Sequence, residues 1–143
     1  MLVIPTELRL SPLHGLGVFT VEPVRKGQVV IRHLAAFDLT FPPDVFAGLP
    51  PAFREAVEYY GFKIKSHDMF CYDVDNGRFI NHSEEPNLIS GRRIMKATRD
   101  IAAGEELLTD YREFCDECKE KGVAAVFRES RSFVDLASLE SST

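Results

Sequence analysis

Asn81 and His82 are the residues whose types and setting most readily suggest chemistry. They follow two apolar residues in the stretch RFINHSEEPN, which runs from Arg78 to Asn87. An Asn side chain carries two donors and an acceptor, and a neutral His carries one of each. Behind a Phe-Ile pair that should be buried, these groups must satisfy one another, the backbone or a bound polar ligand. The stretch also fits an N-glycosylation site or an Asx turn closed by Pro86, so three interpretations stay open.

Two further stretches have features of a binding site. HGLGVF begins at His14, and its two glycines allow a ligand to approach the backbone closely before a strand. It is not a dinucleotide fingerprint, because the third glycine and a following helix pattern are missing. Taken alone, a β-turn or bulge is the more economical interpretation. GEELLTDY ends at Tyr111, where a strand end would expose the phenol, although an ordinary core tyrosine is the alternative.

The elements that must position these residues are short. Segments rich in β-forming residues alternate with turn signals and predict several small sheets; they are GVFTV, QVVIRHL, MFCYDV, LISGRRIMKA and ELLTDY. One helix is predicted after Pro50 and Pro51, with Gly61 ending it. Its apolar residues have helical spacing and should face the interior: Phe53, Ala56, Val57 and Tyr60.

Two segments, 24–30 and 101–107, resemble each other. VRKGQVV and IAAGEEL share an apolar residue, two variable ones, a Gly, a Gln or Glu and a return to apolar residues. Each predicts a single helical turn closed by a left-handed glycine and leading into a strand. The likeness is too short to indicate a true repeat.

The length and charge restrict the class of protein. With 143 residues the chain has the size of one domain, and its net charge of −5 argues against a general nucleic-acid binder and favours basic partners. No membrane-spanning run or signal peptide is predicted, which weakens the glycosylation interpretation. Three cysteines, an odd number, indicate reduced thiols. We therefore expect an intracellular protein, cytoplasmic in a bacterium or nuclear in a eukaryote.

In this order and spacing, HGLGVF, RFINHSEEPN and GEELLTDY resemble the three motifs of the SET-domain protein lysine methyltransferases, of the minimal viral or bacterial type. The resemblance runs from about Ser11 to Tyr111. It implies a mainly β fold with short helices (α+β), in which small sheets surround a knot-like crossing and a helical tail follows. The implied organisation is a catalytic SET domain over residues 1–111 and a post-SET-like tail over 112–143, its last residues frayed.

The resemblance also implies the cofactor and the site. S-adenosylmethionine would donate methyl groups to the ε-amine of a lysine in a histone or another basic protein, with Tyr111 as the catalytic residue. The implied cofactor-binding residues are His14, Gly15, Leu16, Gly17, Phe79, Asn81, His82, Tyr111 and Phe114. Tyr60 and Tyr72 are candidates for the aromatic wall of the lysine channel, with core packing as the alternative. Thr109 stands where the family often has Phe or Tyr, and its smaller side chain favours di- or trimethylation unless a bound water molecule fills the space.

The chain departs from the family pattern after the Asn-His-Ser motif. Glu84 stands where many members have a zinc-binding Cys, and Cys115 with Cys118 forms only half of a metal knuckle, so we expect no metal. Phe114, Phe127 and Phe133 are the aromatic residues of the tail, which would cover adenine or form a homodimer. A SET-fold peptide-binding module with weak catalysis is the alternative function. A hydrolase using Glu84 and Glu85 is disfavoured, because adjacent carboxylates on a short loop usually point apart.

Overall fold

The computed structural model describes residues 1–64 and 67–123. Within these ranges the chain forms ten short strands and three short α-helices. The strands are β1 (Thr6–Leu10), β2 (Leu16–Thr20), β3 (Val29–Arg32), β4 (Leu39–Phe41), β5 (Phe62–Ile64), β6 (Met69–Tyr72), β7 (Asn81–His82), β8 (Leu88–Gly91), β9 (Ile94–Ala97) and β10 (Leu108–Thr109). The helices are α1 (Pro43–Ala47), α2 (Pro51–Tyr60) and α3 (Asp116–Lys121).

The described strands build four small sheets. β1 and β2 pair antiparallel, and so do the three strands in the order β3-β9-β8 and the three in the order β4-β6-β5. β7 and β10 pair in parallel, with Asn81 opposite Leu108 and His82 opposite Thr109. This confirms the mainly β class with several small sheets. The knot-like crossing stays a prediction.

The helix α2 has the predicted bounds. Pro51 stands in its first turn, where a missing N–H costs nothing, and the Gly61 N–H donates to the Val57 carbonyl at 2.8 Å. Gly61 is required by close packing, since a Cβ there would lie 2.6 Å from the Cys71 carbonyl oxygen. The buried face is narrower than predicted. Val57 is 1% exposed, whereas Phe53 is 36% exposed and packs edge-on against Tyr72.

The two similar segments form matching β-turns, not the predicted helical turns. Gly27 and Gly104 have φ angles of 82° and 79°, as the third position of such a turn requires. In both turns the fourth residue, Gln28 or Glu105, accepts with its side chain from the backbone N–H of the first residue at 3.0 Å. Val24 and Ile101 exchange backbone hydrogen bonds of 2.9 and 2.8 Å. The two similar segments are therefore hydrogen-bonded to each other where each begins.

One apolar cluster lies beneath the polar motif. Its buried members are Val18, Val24, Val30, Ile80, Leu88, Ala97, Ile101 and Leu107. Fully burying a Leu or Ile contributes about 1.5–3 kcal/mol, so this cluster dominates the local stability. Ile80 belongs to it, and the next residue along the chain is Asn81. The core therefore anchors the start of the Asn-His pair.

The chain after Tyr111 is described only as far as residue 123. It forms a 3₁₀ helix at Tyr111–Glu113 and then α3. Phe127 and Phe133 lie outside the described residues, and the division into a domain and a tail stays a prediction. No helix of the described chain is long and apolar enough to cross a membrane.

Candidate functional site

The side chain of Asn81 joins all three motifs. Its Nδ2 donates to the His14 and Leu16 carbonyl oxygens at 3.0 Å each and to Glu106 Oε1 at 2.9 Å. His14 and Leu16 belong to the glycine stretch, and Glu106 belongs to the last motif. Asn81 itself is 8% exposed and starts β7, directly after the core residue Ile80. We call His14 to Gly17, Asn81 and Glu106 the polar cluster.

The two glycines of this cluster have different roles. A Cβ on Gly17 would lie 2.2 Å from Glu106 Oε1, so only glycine lets that carboxylate enter. Gly15 has a φ of 49°, in the left-handed region, and a Cβ there would meet nothing within 4 Å. Gly17 thus serves the packing of another side chain, whereas Gly15 serves a left-handed backbone conformation.

His82 connects the polar cluster to Tyr111. Its Nδ1 accepts the Tyr111 backbone N–H at 3.2 Å, which requires an unprotonated Nδ1. In the neutral ring the proton is then on Nε2, which lies 3.4 Å from Glu84 Oε1. The rings of His82 and Tyr111 lie 5.4 Å apart between centroids. The imidazole therefore positions the backbone from which the phenol projects.

Tyr111 brings a hydroxyl group to the carbonyl of Ile80. Its Oη donates to the Ile80 carbonyl oxygen at 2.5 Å, across 31 residues of sequence. The preceding Asp110 caps the 3₁₀ helix by accepting the Arg112 N–H at 2.9 Å. Hydrogen bonding and ion pairing with the Arg112 guanidinium hold the pKa of Asp110 below its ordinary value. Tyr111 is thus oriented from both its backbone and its hydroxyl group.

A cleft of about 920 Å³ opens beside Tyr111. The predicted site residues that line it are Tyr60, Thr109, Tyr111 and Phe114. Phe114 contacts Tyr111 and Phe62 with ring centroids 5.6 and 4.9 Å apart. Burial raises the pKa of Tyr60, which also contacts Phe79 edge-on. The cleft wall beside the tyrosine is therefore aromatic.

Thr109 also lines the cleft and carries a buried hydroxyl group. The residue is 2% exposed, and its Oγ1 has no hydrogen-bond partner within the described chain. A buried hydroxyl without a partner costs free energy, which makes this position sensitive to substitution.

The predicted residues do not all meet at the cleft. Tyr72 packs against Phe53 with ring centroids 5.8 Å apart and does not line it. The residues of the glycine stretch, with Asn81 and His82, also lie outside the cleft lining. Tyr111 contacts His82 and lines the cleft, so it stands between the two regions.

Glu106 and Asn87 were missed by the sequence reasoning. Asn87 is 1% exposed; its Nδ2 donates to the Glu106 carbonyl at 2.7 Å and its Oδ1 accepts the Leu108 N–H at 2.8 Å. Asn87 therefore holds β10 beside the central motif. A signal was present for Asn87, which stands directly before the apolar strand β8. Glu106 gave none, because it follows a Gly-Glu pair that is typical of an exposed turn.

Cys115, Cys118 and Glu84 each contact another residue of the chain. Cys115 Sγ caps α3 by accepting the Cys118 N–H at 3.3 Å. Hydrogen bonding with Cys118 lowers the pKa of Cys115 to about 7, and the same pairing raises that of Cys118. Glu84 Oε2 accepts from Arg112 at 2.6 Å. Among the described residues no three His, Cys, Asp or Glu side chains form a metal-binding group.

The chain is mainly β, and Asn81 and His82 connect its glycine, Asn-His and tyrosine motifs to one another. This combination of fold and motifs defines the class of protein. A family model described as SET domain matches residues 15–112. The chain belongs to this family, as the three motifs predicted.

Several relatives are named as lysine methyltransferases. N-lysine methyltransferase KMT5A-A of Danio rerio is 33% identical over 114 residues, which cover 68% of this chain and 32% of that protein. The H3 lysine-4 specific histone-lysine N-methyltransferase of Schizosaccharomyces pombe is 33% identical over 114 residues, with coverages of 71% and 12%. ATX2 of Arabidopsis thaliana, also a histone-lysine N-methyltransferase, is 32% identical, with coverages of 73% and 10%. The chain thus spans no more than 32% of these relatives.

Solved structures share the fold. A chain of an active polycomb repressive complex 2 in the basal state matches with a TM-score of 0.57 and 24% identity, over 76% of this chain and 15% of that chain. A chain of a humanized mutant of the Chaetomium thermophilum complex matches with a TM-score of 0.58 and 24% identity, with coverages of 81% and 16%. At this identity the likeness concerns the fold alone.

Proposed function

We propose that this chain is a protein-lysine N-methyltransferase that uses S-adenosylmethionine. The observation that carries the proposal is the position of Tyr111. Its hydroxyl group donates to the Ile80 carbonyl, its ring contacts His82, and it lines the cleft. Methyl transfer joins a cofactor and a lysine that are bound separately. It therefore needs a side chain such as this tyrosine where the polar cofactor site meets the lysine channel.

The residues present fit such a cofactor. When bound, S-adenosylmethionine supplies a methyl group on a cationic sulfur and carries amine, carboxylate and adenosine groups to be held. Within the described chain Asn81 Oδ1 accepts no hydrogen bond, although Nδ2 has three acceptors. An acceptor without a partner suits a ligand with N–H or O–H donors. We assign its binding to His14, Gly15, Leu16, Gly17, Phe79, Asn81, His82, Tyr111 and Phe114.

The lysine is proposed to enter the part of the cleft lined by Tyr60, Tyr111 and Phe114. Poorly hydrated aromatic walls disfavour an ammonium group, so they lower the pKa of the entering amine and favour the neutral nucleophile. The Ile80 carbonyl accepts from Tyr111 and keeps a second lone pair with which to orient an amine or polarised C–H groups. The chain contributes by aligning the amine with the methyl group and its leaving sulfur, which lowers the entropic part of the activation free energy.

The number of methyl groups is proposed to depend on Thr109. Its side chain is smaller than the Phe or Tyr common at this position in the family, which leaves room for a second or third methyl group. Thr109 lines the cleft beside Tyr111, so the size of its side chain sets the space next to the reacting amine.

The substrate is proposed to be a lysine in a basic protein, such as a histone. The net charge of −5 suits a basic partner, and the relatives named as histone-lysine methyltransferases act on lysine in histones.

Two measurements test the proposal. Calorimetry with S-adenosylmethionine should show binding, and transfer of a labelled methyl group onto a histone mixture and a lysate should label lysines detectable by mass spectrometry. Tyr111→Phe is the matched control for transfer. Binding of basic peptides without cofactor binding or transfer would instead support the peptide-binding module.

A further inference from the structure

Glu106 is a carboxylate in a place where charges are rare. It is 8% exposed and follows the turn that ends at Glu105. Its oxygens accept from Asn81 Nδ2 at 2.9 Å and from Ser11 Oγ at 3.0 Å. Within the described chain it forms no ion pair with a Lys, Arg or His side chain. Burying a carboxylate without a cation is costly, so stability alone gives no reason for this residue.

Glu106 acts on the orientation of the Asn81 amide. The amide nitrogen has two hydrogens and three acceptors, and one of them is Glu106 Oε1. Rotating the amide by half a turn would place Oδ1 against the same three oxygens. An ionised carboxylate can only accept hydrogen bonds, and so can a backbone carbonyl. Both would face the rotated Oδ1 acceptor to acceptor, which disfavours the rotated amide. A glutamine could reorient and donate to the rotated Oδ1.

The glycine stretch is part of the same arrangement. Gly17 lacks the Cβ that would lie 2.2 Å from Oε1, and the Leu16 carbonyl shares Asn81 Nδ2 with that oxygen. Ser11, at the end of β1, holds the other carboxylate oxygen. Glu106 is thus held from one side while it contacts Asn81 from the other.

We infer that Glu106 is a positioning residue, which keeps Asn81 Nδ2 toward the glycine stretch and leaves Asn81 Oδ1 free to accept from a bound ligand. In the proposed function that ligand is S-adenosylmethionine, so the effect on binding rests on that proposal. The effect on the Asn81 amide does not. Glu106 touches no reacting group in this role.

The test compares Glu106→Gln with Glu105→Gln. Glu105 is the adjacent acid and pairs with Arg99. In the described chain Asn81 Nδ2 donates to Glu106 and not to Glu105, so Glu105→Gln makes the same chemical change at a residue that does not hold the Asn81 amide. The first readout is hydrogen exchange of the Asn81 side-chain amide by NMR, without cofactor. We expect exchange about tenfold faster in Glu106→Gln, as loss of a hydrogen bond to a charged group implies, and wild-type exchange in Glu105→Gln.

The second readout is the Kd for S-adenosylmethionine by calorimetry, with thermal unfolding alongside. Glu106→Gln should weaken binding about tenfold while the melting temperature stays the same or rises, because a buried charge has been removed. A purely structural residue would lower the melting temperature and leave Kd unchanged.

Failure of the proposed function and failure of the role of Glu106 would give different results. If wild type binds no S-adenosylmethionine, the proposed function is wrong, and amide exchange still decides the role of Glu106. Unchanged Asn81 exchange in Glu106→Gln would overturn the inference. Should that variant not fold, Ser11→Ala releases Glu106 from its other partner without touching Asn81. It is expected to speed Asn81 exchange two- to threefold, about half the free energy of a full hydrogen bond, and wild-type exchange there would count equally against the inference.

Discussion

Gly17 and Glu106 are in contact, although they lie 89 positions apart in the sequence. A Cβ on Gly17 would lie 2.2 Å from Glu106 Oε1 and 2.8 Å from its Cδ. The glycine stretch and the last motif therefore pack together because Gly17 has no Cβ. Asn81 is hydrogen-bonded to both of them. A change at either residue should be felt at the other.

We expect Gly17→Ala to lower the free energy of unfolding by about 1–3 kcal/mol, as overpacking of a well-packed site does. The buried carboxylate has no room to move without losing Asn81. Adding Glu106→Ala removes the clash, so the double variant should be less destabilised than the sum of the singles. Denaturant unfolding of all four proteins measures this coupling.

Gly15→Ala is the control for that cycle. Its cost should be about 1–2 kcal/mol from the left-handed backbone alone, since no atom lies within 4 Å of the new Cβ. It should therefore add independently to Glu106→Ala. Equal coupling at Gly15 and Gly17 would show that the contact is not specific.

Tyr111→Phe removes the hydroxyl group that donates to the Ile80 carbonyl and keeps the ring contacts with His82 and Phe114. Transfer to a lysine peptide should fall by roughly 10²–10³, as when one catalytic hydrogen bond is lost. Cofactor binding should stay within a few-fold, because the backbone bond to His82 is untouched. Single-turnover transfer and calorimetry separate the two effects, and a fully active variant would refute the role of Tyr111.

The three motifs and the helix α2 could be predicted from local sequence, because each has a pattern readable within about ten residues. The way they assemble could not. Asn81 finds its partners 67, 65 and 25 residues away, and β7 and β10 are two residues long, too short for any periodicity to show. Glu106 was missed because a Glu after Gly-Glu suggests an exposed turn. Only the fold shows that Gly17 makes a buried place for it.

Thr109→Val should raise the free energy of unfolding by about 1 kcal/mol, because it removes a buried hydroxyl that has no partner in the described chain and keeps the shape. Thermal and denaturant unfolding measure this. A loss of stability would instead mean that Oγ1 binds a water molecule.

Thr109→Tyr should restrict the product to fewer methyl groups, read by mass spectrometry of the modified peptide. An unchanged ratio of mono-, di- and trimethyllysine would contradict the proposed role.

Arg112 links the central motif to the segment after Tyr111. It pairs with Asp110 at 2.7 Å and with Glu84 at 2.6 Å. Glu84 stands at the position where many family members have a zinc-binding Cys. Because the pKa of Asp110 is held below its ordinary value, its ion pair contributes stability above the unfolded-state pKa of about 3.9. That contribution is lost as the pH falls through the lower folded-state pKa.

Arg112→Gln should therefore raise the Asp110 pKa toward its ordinary value, as measured by NMR titration of the carboxyl carbon. It should also flatten the acid limb of the stability curve below about pH 4. Glu84→Gln removes the more exposed partner and should leave most of the Asp110 shift, since Arg112 keeps contacts with both Asp110 oxygens. Added salt should weaken the Glu84 contact first, because that carboxylate is 72% exposed. If Arg112→Gln left the Asp110 titration unchanged, this link would have no electrostatic role.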